Sequence, residues 1–178
     1  EQRTTPSIGA VLFKSKNELS AEALIKQADI AMYHAKHAGR DALYFFNSQM
    51  ESRVTEKVAL SSDLHDALEH DQFVLFYQIQ VDQLGKAQGA EALIRWNHPK
   101  KGLVSPLQFI PLAEETGSIV PIGLWVLNAA CAQIKIWQQH EATRNLTLAV
   151  NVSTRQFVHP NFVSQVSAIV EHHAIDPR

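Results

Sequence analysis

The alternation of apolar and polar positions predicts an α/β protein. Apolar runs of strand length cover residues 7–13, 42–46, 73–81, 87–96 and 146–152. Between them, apolar residues recur at three- and four-residue spacing, which predicts amphipathic helices over 20–39, 47–70, 105–116, 121–140 and 160–170. The helix over 47–70 has only a weak apolar stripe, and a break at Ser61 and Ser62 is an open alternative.

The connections between these elements constrain how the strands pair. The strands over 73–81 and 87–96 are joined by a short turn that contains Gly85, so they must be antiparallel, because a parallel crossover needs about a dozen residues or more. From Glu91 onward the order is strand, helices, strand, helix, which is typical of parallel strands in an α/β sheet.

The amino-acid composition argues against several classes of protein for this chain. Hydrophobic residues make up 46% of the 178 residues and charged residues 19%, which is incompatible with wholesale disorder. The net charge of -2 disfavours binding to a nucleic-acid duplex. Apolar runs are too short and interrupted for a membrane span to be expected within this chain. The single cysteine, Cys131, excludes an intramolecular disulfide and is expected to be buried in a helix.

Glu91 and Arg95 are the first candidates for chemistry. On a strand, residues 91, 93 and 95 face the same side, so this carboxylate and guanidinium point together on either side of Leu93. One interpretation is a partly buried ion pair within the sheet. The other is a carboxylate that holds a hard cation beside an arginine that holds a phosphate, since divalent cations prefer oxygen ligands and arginine binds phosphate through two parallel hydrogen bonds.

Asn151 is the second candidate, because it follows an apolar run at the carboxyl end of a strand, where ligands bind in α/β proteins. It either caps the strand or completes a metal site with Glu91. The nine histidines do not favour zinc, because neither an HxxxH nor a CxxC pair is present.

Five ordered motifs resemble the start of an EAL domain, the cyclic-di-GMP phosphodiesterase family. They are Phe73 to Gln78, Glu91 to Pro99, Gly102 to Pro106, Phe109 to Gly117 and Ala149 to Ser153. This resemblance implies a TIM-like (β/α) barrel with one antiparallel strand, which agrees with the hairpin inferred above. Residues 71–178 would form the N-terminal part of that domain, and residues 47–70 a helical linker.

The N-terminal residues are similar to the end of a GGDEF domain, the diguanylate cyclase family. The similarity lies in Ser7 to Gly9 and in the stretch from Ala28 to Arg40. Residues 1–46 would then be the C-terminal β-α-β part of that domain. The resemblance implies that Lys36 and Arg40 contact nucleotide phosphates in a complete cyclase. The alternative is two basic residues at a solvated helix end.

The EAL resemblance also implies a mechanism, in which two divalent cations, Mg²⁺ or Mn²⁺, activate a water that opens cyclic-di-GMP to linear pGpG. Glu91, as the catalytic residue, and Asn151 would be metal ligands. Gln78, the backbone near Leu93 and Arg95 would hold the dinucleotide, and Glu114 would help to position a guanine. The family usually has proline where this chain has Ile79, which puts the orientation of Gln78 in question.

The resemblance further implies that the chain is part of a larger tandem GGDEF–EAL protein, with the remaining metal carboxylates and a catalytic lysine beyond residue 178. We expect a phosphodiesterase, with this segment alone inactive. The alternatives are a catalytically inactive cyclic-di-GMP receptor or scaffold and a bifunctional protein that also makes the dinucleotide. We further expect a homodimer through the EAL domain. We also expect a cytoplasmic location, in which the parent protein is either free or anchored at the inner face of the cytoplasmic membrane.

Overall fold

The computed structural model describes residues 5–13 and 19–175, and divides the chain into two compact units, Glu1–Ala59 and Leu60–Arg178. The division lies inside a helix, within the residues predicted to be a linker. Both units combine helices with strands, which confirms the α/β class.

The N-terminal unit is a β-α-β arrangement. Strand β1 (Ser7–Ala10) pairs in parallel with β2 (Ala42–Phe45), and helix α1 (Ala21–His37) connects them. Helix α1 begins where the sequence predicted, because the Ser20 hydroxyl accepts a hydrogen bond of 3.2 Å from the Ala23 amide. Ile30 and Ala31 of α1 form a small buried core with Met50, and Tyr44 of β2 packs against it.

Helix α2 (Ser48–Asp66) is continuous, so the alternative of a break at Ser61 and Ser62 is wrong. Leu60 and Leu64, on either side of the serine pair, are buried in the core of the C-terminal unit. Their packing outweighs the weak helix preference of the two serines.

The C-terminal unit is built on a mixed sheet. Strand β3 (Phe73–Val81) forms an antiparallel hairpin with β4 (Ala87–His98). On the other side of β4, β6 (Thr147–Val150) pairs in parallel with residues 89–92, and β5 (Gly102–Val104) pairs antiparallel with residues 96–98. The strand predicted over 87–96 therefore ends two residues too early, because Asn97 and His98 continue β4 to reach β5.

Helices cover one face of this sheet. They are α3 (Pro106–Thr116), α4 (Ile119–Trp137), the short α5 (Thr154–Phe157) and α6 (Phe162–His172). Phe73, Trp96 and Phe109 form the aromatic centre of the core, with ring centroids 5.7–6.1 Å apart. Trp96 is fully buried, so it belongs to the core and does not offer a surface on which a nucleobase could stack. The sequence did not predict α5.

Helix α4 is long and strongly apolar. Among the described residues it alone is long and apolar enough to cross a membrane, a test that core helices of soluble proteins also pass. Its buried face supplies Ile119, Ile122 and Val126 to the core of the C-terminal unit. Cys131 is buried on the same helix, as predicted.

The carboxyl end of β4 is fastened to the end of α2 through His98. This side chain is 3% exposed, and its Nδ1 accepts a hydrogen bond of 3.1 Å from the Lys100 amide. The neutral imidazole therefore carries its proton on Nε2, which donates to the Asp63 carboxylate at 3.0 Å. Because β4 also bears the candidate catalytic residues, this contact helps to fix their strand.

Candidate active site

The face of the sheet opposite the helices carries the predicted site residues. In the β3–β4 ladder Gln78 lies directly opposite Glu91, and on the other side Glu91 lies opposite Ala149 of β6. Directly opposed residues share a face, so Gln78, Glu91, Leu93 and Arg95 all point away from the core. Glu91 and Arg95 are half-buried and Gln78 is exposed.

Glu91 and Asn151 are in direct contact. The Asn151 Nδ2 donates a hydrogen bond of 2.6 Å to Glu91 Oε1 across 60 residues of sequence. The parallel register accounts for this contact, because Asn151 follows Ala149 by two residues and therefore faces the same side as Glu91. The interpretation of Glu91 and Arg95 as an ion pair is not supported, since the hydrogen-bond partner of Glu91 is Asn151.

Arg95 is held by its neighbours rather than by a carboxylate. Its Nη1 donates to the Ile94 carbonyl at 2.9 Å, and its guanidinium carbon lies 5.5 Å from the centroid of the Phe76 ring. The aromatic face attracts the cation and restricts its orientation. The remaining guanidinium hydrogens are suited to a phosphate, which this planar group binds through paired hydrogen bonds.

The backbone of β4 has a gap in its pairing beside these side chains. On the side of β5 and β6, β6 pairs only as far as Ala92 and β5 begins only at Trp96. In the part of the chain that the structure describes, residues 93–95 thus have a strand partner on the β3 side alone. The predicted contact of a ligand with the backbone near Leu93 stays a prediction, and this gap is the place where such a contact would occur.

A cleft of about 270 Å³ brings four of the predicted residues together. Leu93, Arg95, Glu114 and Asn151 line it, while Gln78 and Glu91 lie outside its lining. Most of the remaining wall is apolar and comes from α3 and α4: Pro106, Ile110, Ile119, Ile122 and Val126. A few polar groups at one end of an apolar cleft are the usual composition of a small-molecule site.

Glu91 and Asn151 offer oxygen ligands of the kind that a divalent cation needs. A carboxylate and an amide carbonyl are both oxygen ligands, which suits Mg²⁺ or Mn²⁺ better than zinc. They supply only one formal negative charge. Within residues 5–13 and 19–175 there is no group of three or more His, Cys, Asp and Glu side chains that could hold a metal ion. Glu91 and Asn151 therefore fit part of a divalent-cation site.

The loop that carries Asn151 is fixed by residues that the sequence analysis did not single out. Ser153 and Gln156 form a capping box at the start of α5: the Gln156 amide donates to Ser153 Oγ, and the Ser153 amide donates to Gln156 Oε1, both at 3.2 Å. Gln156 is 4% exposed and packs against Gly123 of α4. The pattern Ser-x-x-Gln directly after a strand is the sequence signal that predicts such a cap.

The two basic residues of the N-terminal unit occupy different settings. Lys36 lies on α1 and lines a groove with Tyr33 and Asp29. Arg40 is exposed, beyond the end of the helix, in a left-handed backbone conformation with φ 63°. Gly39 and Asp41 on either side also have positive φ, so the three residues form one tight turn before β2. The role of Lys36 and Arg40 in contacting nucleotide phosphates stays a prediction.

Sequence models of two families match the chain in the predicted order. The model of the diguanylate cyclase GGDEF domain matches residues 1–42, and that of the EAL domain matches residues 61–178. The EAL match covers most of the chain.

Two curated relatives extend over nearly the whole chain. It is 43% identical over 178 residues to the bifunctional diguanylate cyclase/cyclic di-GMP phosphodiesterase MucR of Pseudomonas aeruginosa, covering 99% of this chain and 26% of MucR. It is 37% identical over 171 residues to the cyclic di-GMP phosphodiesterase PdeR of Escherichia coli, covering 96% of this chain and 25% of PdeR. The chain thus spans about a quarter of the length of these relatives.

Solved structures agree with this assignment. A PaMucR phosphodiesterase in complex with c-di-GMP aligns with a TM-score of 0.64 at 45% identity, over 67% of this chain and 48% of that one. The EAL enzyme Bd1971, with cAMP and cyclic-di-GMP bound, aligns with a TM-score of 0.63 at 27% identity, over 86% and 40%. These neighbours confirm the fold as part of a TIM-like barrel with one antiparallel strand. The chain belongs to the EAL domain family, and its first 42 residues match the end of a GGDEF domain.

Proposed function

We propose that the protein containing this chain hydrolyses cyclic-di-GMP to pGpG with the help of Mg²⁺ or Mn²⁺. The observation that carries this proposal is the contact of Glu91 with Asn151 on the same sheet face as Arg95. Membership of the EAL family and the phosphodiesterase activities for which MucR and PdeR are named support it. Because the chain covers about a quarter of these relatives, the proposal concerns the full-length protein.

In the proposed reaction, the chain's own residues bind and orient the dinucleotide. Arg95, steadied by Phe76 and the Ile94 carbonyl, binds a phosphate. The backbone of residues 93–95, unpaired on the β5/β6 side among the described residues, offers amide and carbonyl groups to the same ligand. Glu114 lies at the far side of the cleft, where its carboxylate can accept hydrogen bonds from a guanine.

Glu91 and Asn151 would hold a divalent cation. When bound, divalent cations would supply a nucleophile from water near neutral pH and neutralise the negative charge that develops on the phosphate.

The test is hydrolysis of cyclic-di-GMP by the full-length protein with Mg²⁺ or Mn²⁺, with pGpG measured by chromatography. We expect Glu91→Gln to lower turnover by roughly 100-fold or more, because it removes the negative charge from the proposed ligand pair. Glu141→Gln, at an exposed position after α4, is the matched control and should leave turnover unchanged. Absence of pGpG with both metals would refute the proposal.

A non-catalytic receptor is the second candidate, and one observation favours it. Glu91 and Asn151 bring a single formal negative charge, and the described residues contain no cluster of three metal-ligating side chains. A receptor would bind cyclic-di-GMP with equal affinity in the presence of chelator and would release no pGpG. For the enzyme, we expect turnover to stop when EDTA is added and to return with Mn²⁺.

The homodimer through the EAL domain and the location in the cytoplasm, or at the inner face of the membrane, remain part of this proposal. Size-exclusion chromatography with light scattering of the full-length protein tests the first. Fractionation of cells that express it tests the second, with the diguanylate cyclase activity of the upstream domain measured on the same material.

A further inference from the structure

Arg155 lies between two parts of the candidate site. It is the second residue of α5, and the loop that carries Asn151 leads directly into this helix. Opposite it, helix α3 ends at Thr116, two residues after Glu114, which lines the cleft. The last carbonyl groups of a helix have no partner within the helix and must be satisfied from outside.

The Arg155 guanidinium supplies hydrogen-bond donors to this helix end. Its Nη1 donates to the carbonyl of Glu114 and, at 3.4 Å, to the carbonyl of Glu115. Gly117 ends the helix in the left-handed conformation, with φ 86°, and its amide shares the Glu114 carbonyl. A cation at this position also interacts favourably with the negative end of the helix dipole.

The segment after β6 is therefore tied to two helices at once. Arg155 joins it to the end of α3, and the buried Gln156, within the capping box, joins it to α4. Asn151 and Glu114 line the same cleft from the two sides of this connection. A shift of α5 relative to α3 would change the distance between them and move Asn151 relative to Glu91.

Resting on the proposed function, we infer that Arg155 is a positioning residue of the phosphodiesterase site. It acts through the backbone of α3 and α5 and touches no reacting atom. It holds Asn151 where it can share a cation with Glu91, and it sets the width of the cleft between Asn151 and Glu114.

The experiment compares Arg155→Ala, Arg155→Lys and the control Arg144→Ala in the full-length protein. Arg144 is exposed in the loop after α4 and serves as an arginine of equal charge outside the site. Three quantities are measured: Mn²⁺ binding by calorimetry, amide hydrogen exchange of residues 149–156 without metal, and the Mn²⁺ concentration that gives half-maximal hydrolysis. Thermal unfolding reports any general loss of stability.

For Arg155→Ala we expect Mn²⁺ affinity to fall by roughly ten-fold, since partners that orient metal ligands contribute effects of this size. Exchange of residues 151–153 should become faster. Arg155→Lys, which keeps a cationic donor, should recover most of both losses, and Arg144→Ala should match the wild type. If Arg155→Ala does not fold, the lysine variant decides, because its Mn²⁺ affinity should then lie measurably below that of the wild type.

The positioning role is refuted if Arg155→Ala lowers the unfolding temperature while Mn²⁺ affinity and loop exchange remain those of the wild type. It is also refuted if the lysine variant is no better than alanine in a folded protein. Lack of hydrolysis by the wild type would instead refute the proposed function, and the binding and exchange measurements would still test Arg155.

Discussion

Gly123 of α4 provides the sharpest test of how the core supports the site. It lies in the interior of a helix, where replacing glycine by alanine ordinarily stabilises a protein by about 1 kcal/mol. At this position a Cβ would overlap Nε2 and Cδ of Gln156 and lie 2.9 Å from its Oε1. We therefore expect Gly123→Ala to destabilise the protein, the opposite sign from the helix preference.

The size of the destabilisation depends on the packing and the hydrogen bond that the Gln156 side chain would lose. Its side chain is buried and its Oε1 accepts the Ser153 amide, so it has no exposed position to move to without losing that bond. Overpacking of a core costs about 1–3 kcal/mol. Loss of the hydrogen bond from the Ser153 amide to Gln156 Oε1 adds about 1 kcal/mol. After the helix preference of about 1 kcal/mol is subtracted, a net loss of about 1–3 kcal/mol is expected.

The assay is calorimetric unfolding of the full-length protein, in which the transition of the EAL unit is followed in Gly123→Ala, Gln156→Ala and the double variant. With Gln156 truncated, the methyl group of Ala at position 123 has room, so the second substitution should become neutral or stabilising. Hydrogen exchange at residues 151–153 should report the same sign reversal. Destabilisation by Gly123→Ala of equal size in both backgrounds would show that contact with Gln156 is not the cause.

Three further measurements test other parts of the fold. Gly9→Ala should destabilise the N-terminal unit by about 3 kcal/mol in urea unfolding, because a Cβ there would overlap backbone atoms of Met32 on α1; an unchanged midpoint would contradict this. A backbone hydrogen bond from Lys86 lowers the pKa of the Asp82 carboxyl. The ionised carboxylate therefore stabilises the β3–β4 turn fully at any pH above the ordinary pKa of aspartate, and this stabilisation is lost as the pH falls through the lowered pKa of the folded state. Relative to their intrinsic exchange rates, the turn amides should accordingly become less protected as the pH falls in the wild type but not in Asp82→Asn. Burial raises the pKa of the Cys131 thiol, so iodoacetamide should react slowly at neutral pH until urea unfolds the helix, and rapid native labelling would contradict its buried position.

The elements that sequence predicted well are those specified by their own residues. Strand β3 was predicted with the observed bounds, because nine β-prone residues lie between Gln72 and a turn. Helix α3 was predicted at Ser105–Pro106 from its Pro at the first helical position. By contrast, β5 has three residues and is defined by its pairing with β4, a long-range contact that no local pattern reveals.

The candidate site divides in the same way. Strand alternation alone placed Glu91 and Arg95 on one face, because that relation lies within a single strand. The partner of the Glu91 carboxylate could not be predicted in this way. It is Asn151, which lies 60 residues away in the sequence, and not Arg95 on the same strand. Nor could the sequence predict the connection through Arg155, because it joins the ends of two helices that only the tertiary fold brings together.

Ile79 shows how tertiary pairing can resolve a doubtful feature of the sequence. Where a proline would have lacked an amide hydrogen, isoleucine continues β3 and lies opposite Ala90 in the ladder. The irregularity in this hairpin comes later, between Gln80 and Val81. Gln78 therefore keeps its place opposite Glu91, and regular pairing on both sides determines the direction of its side chain. The isoleucine thus leaves intact the arrangement that binding of the dinucleotide would require.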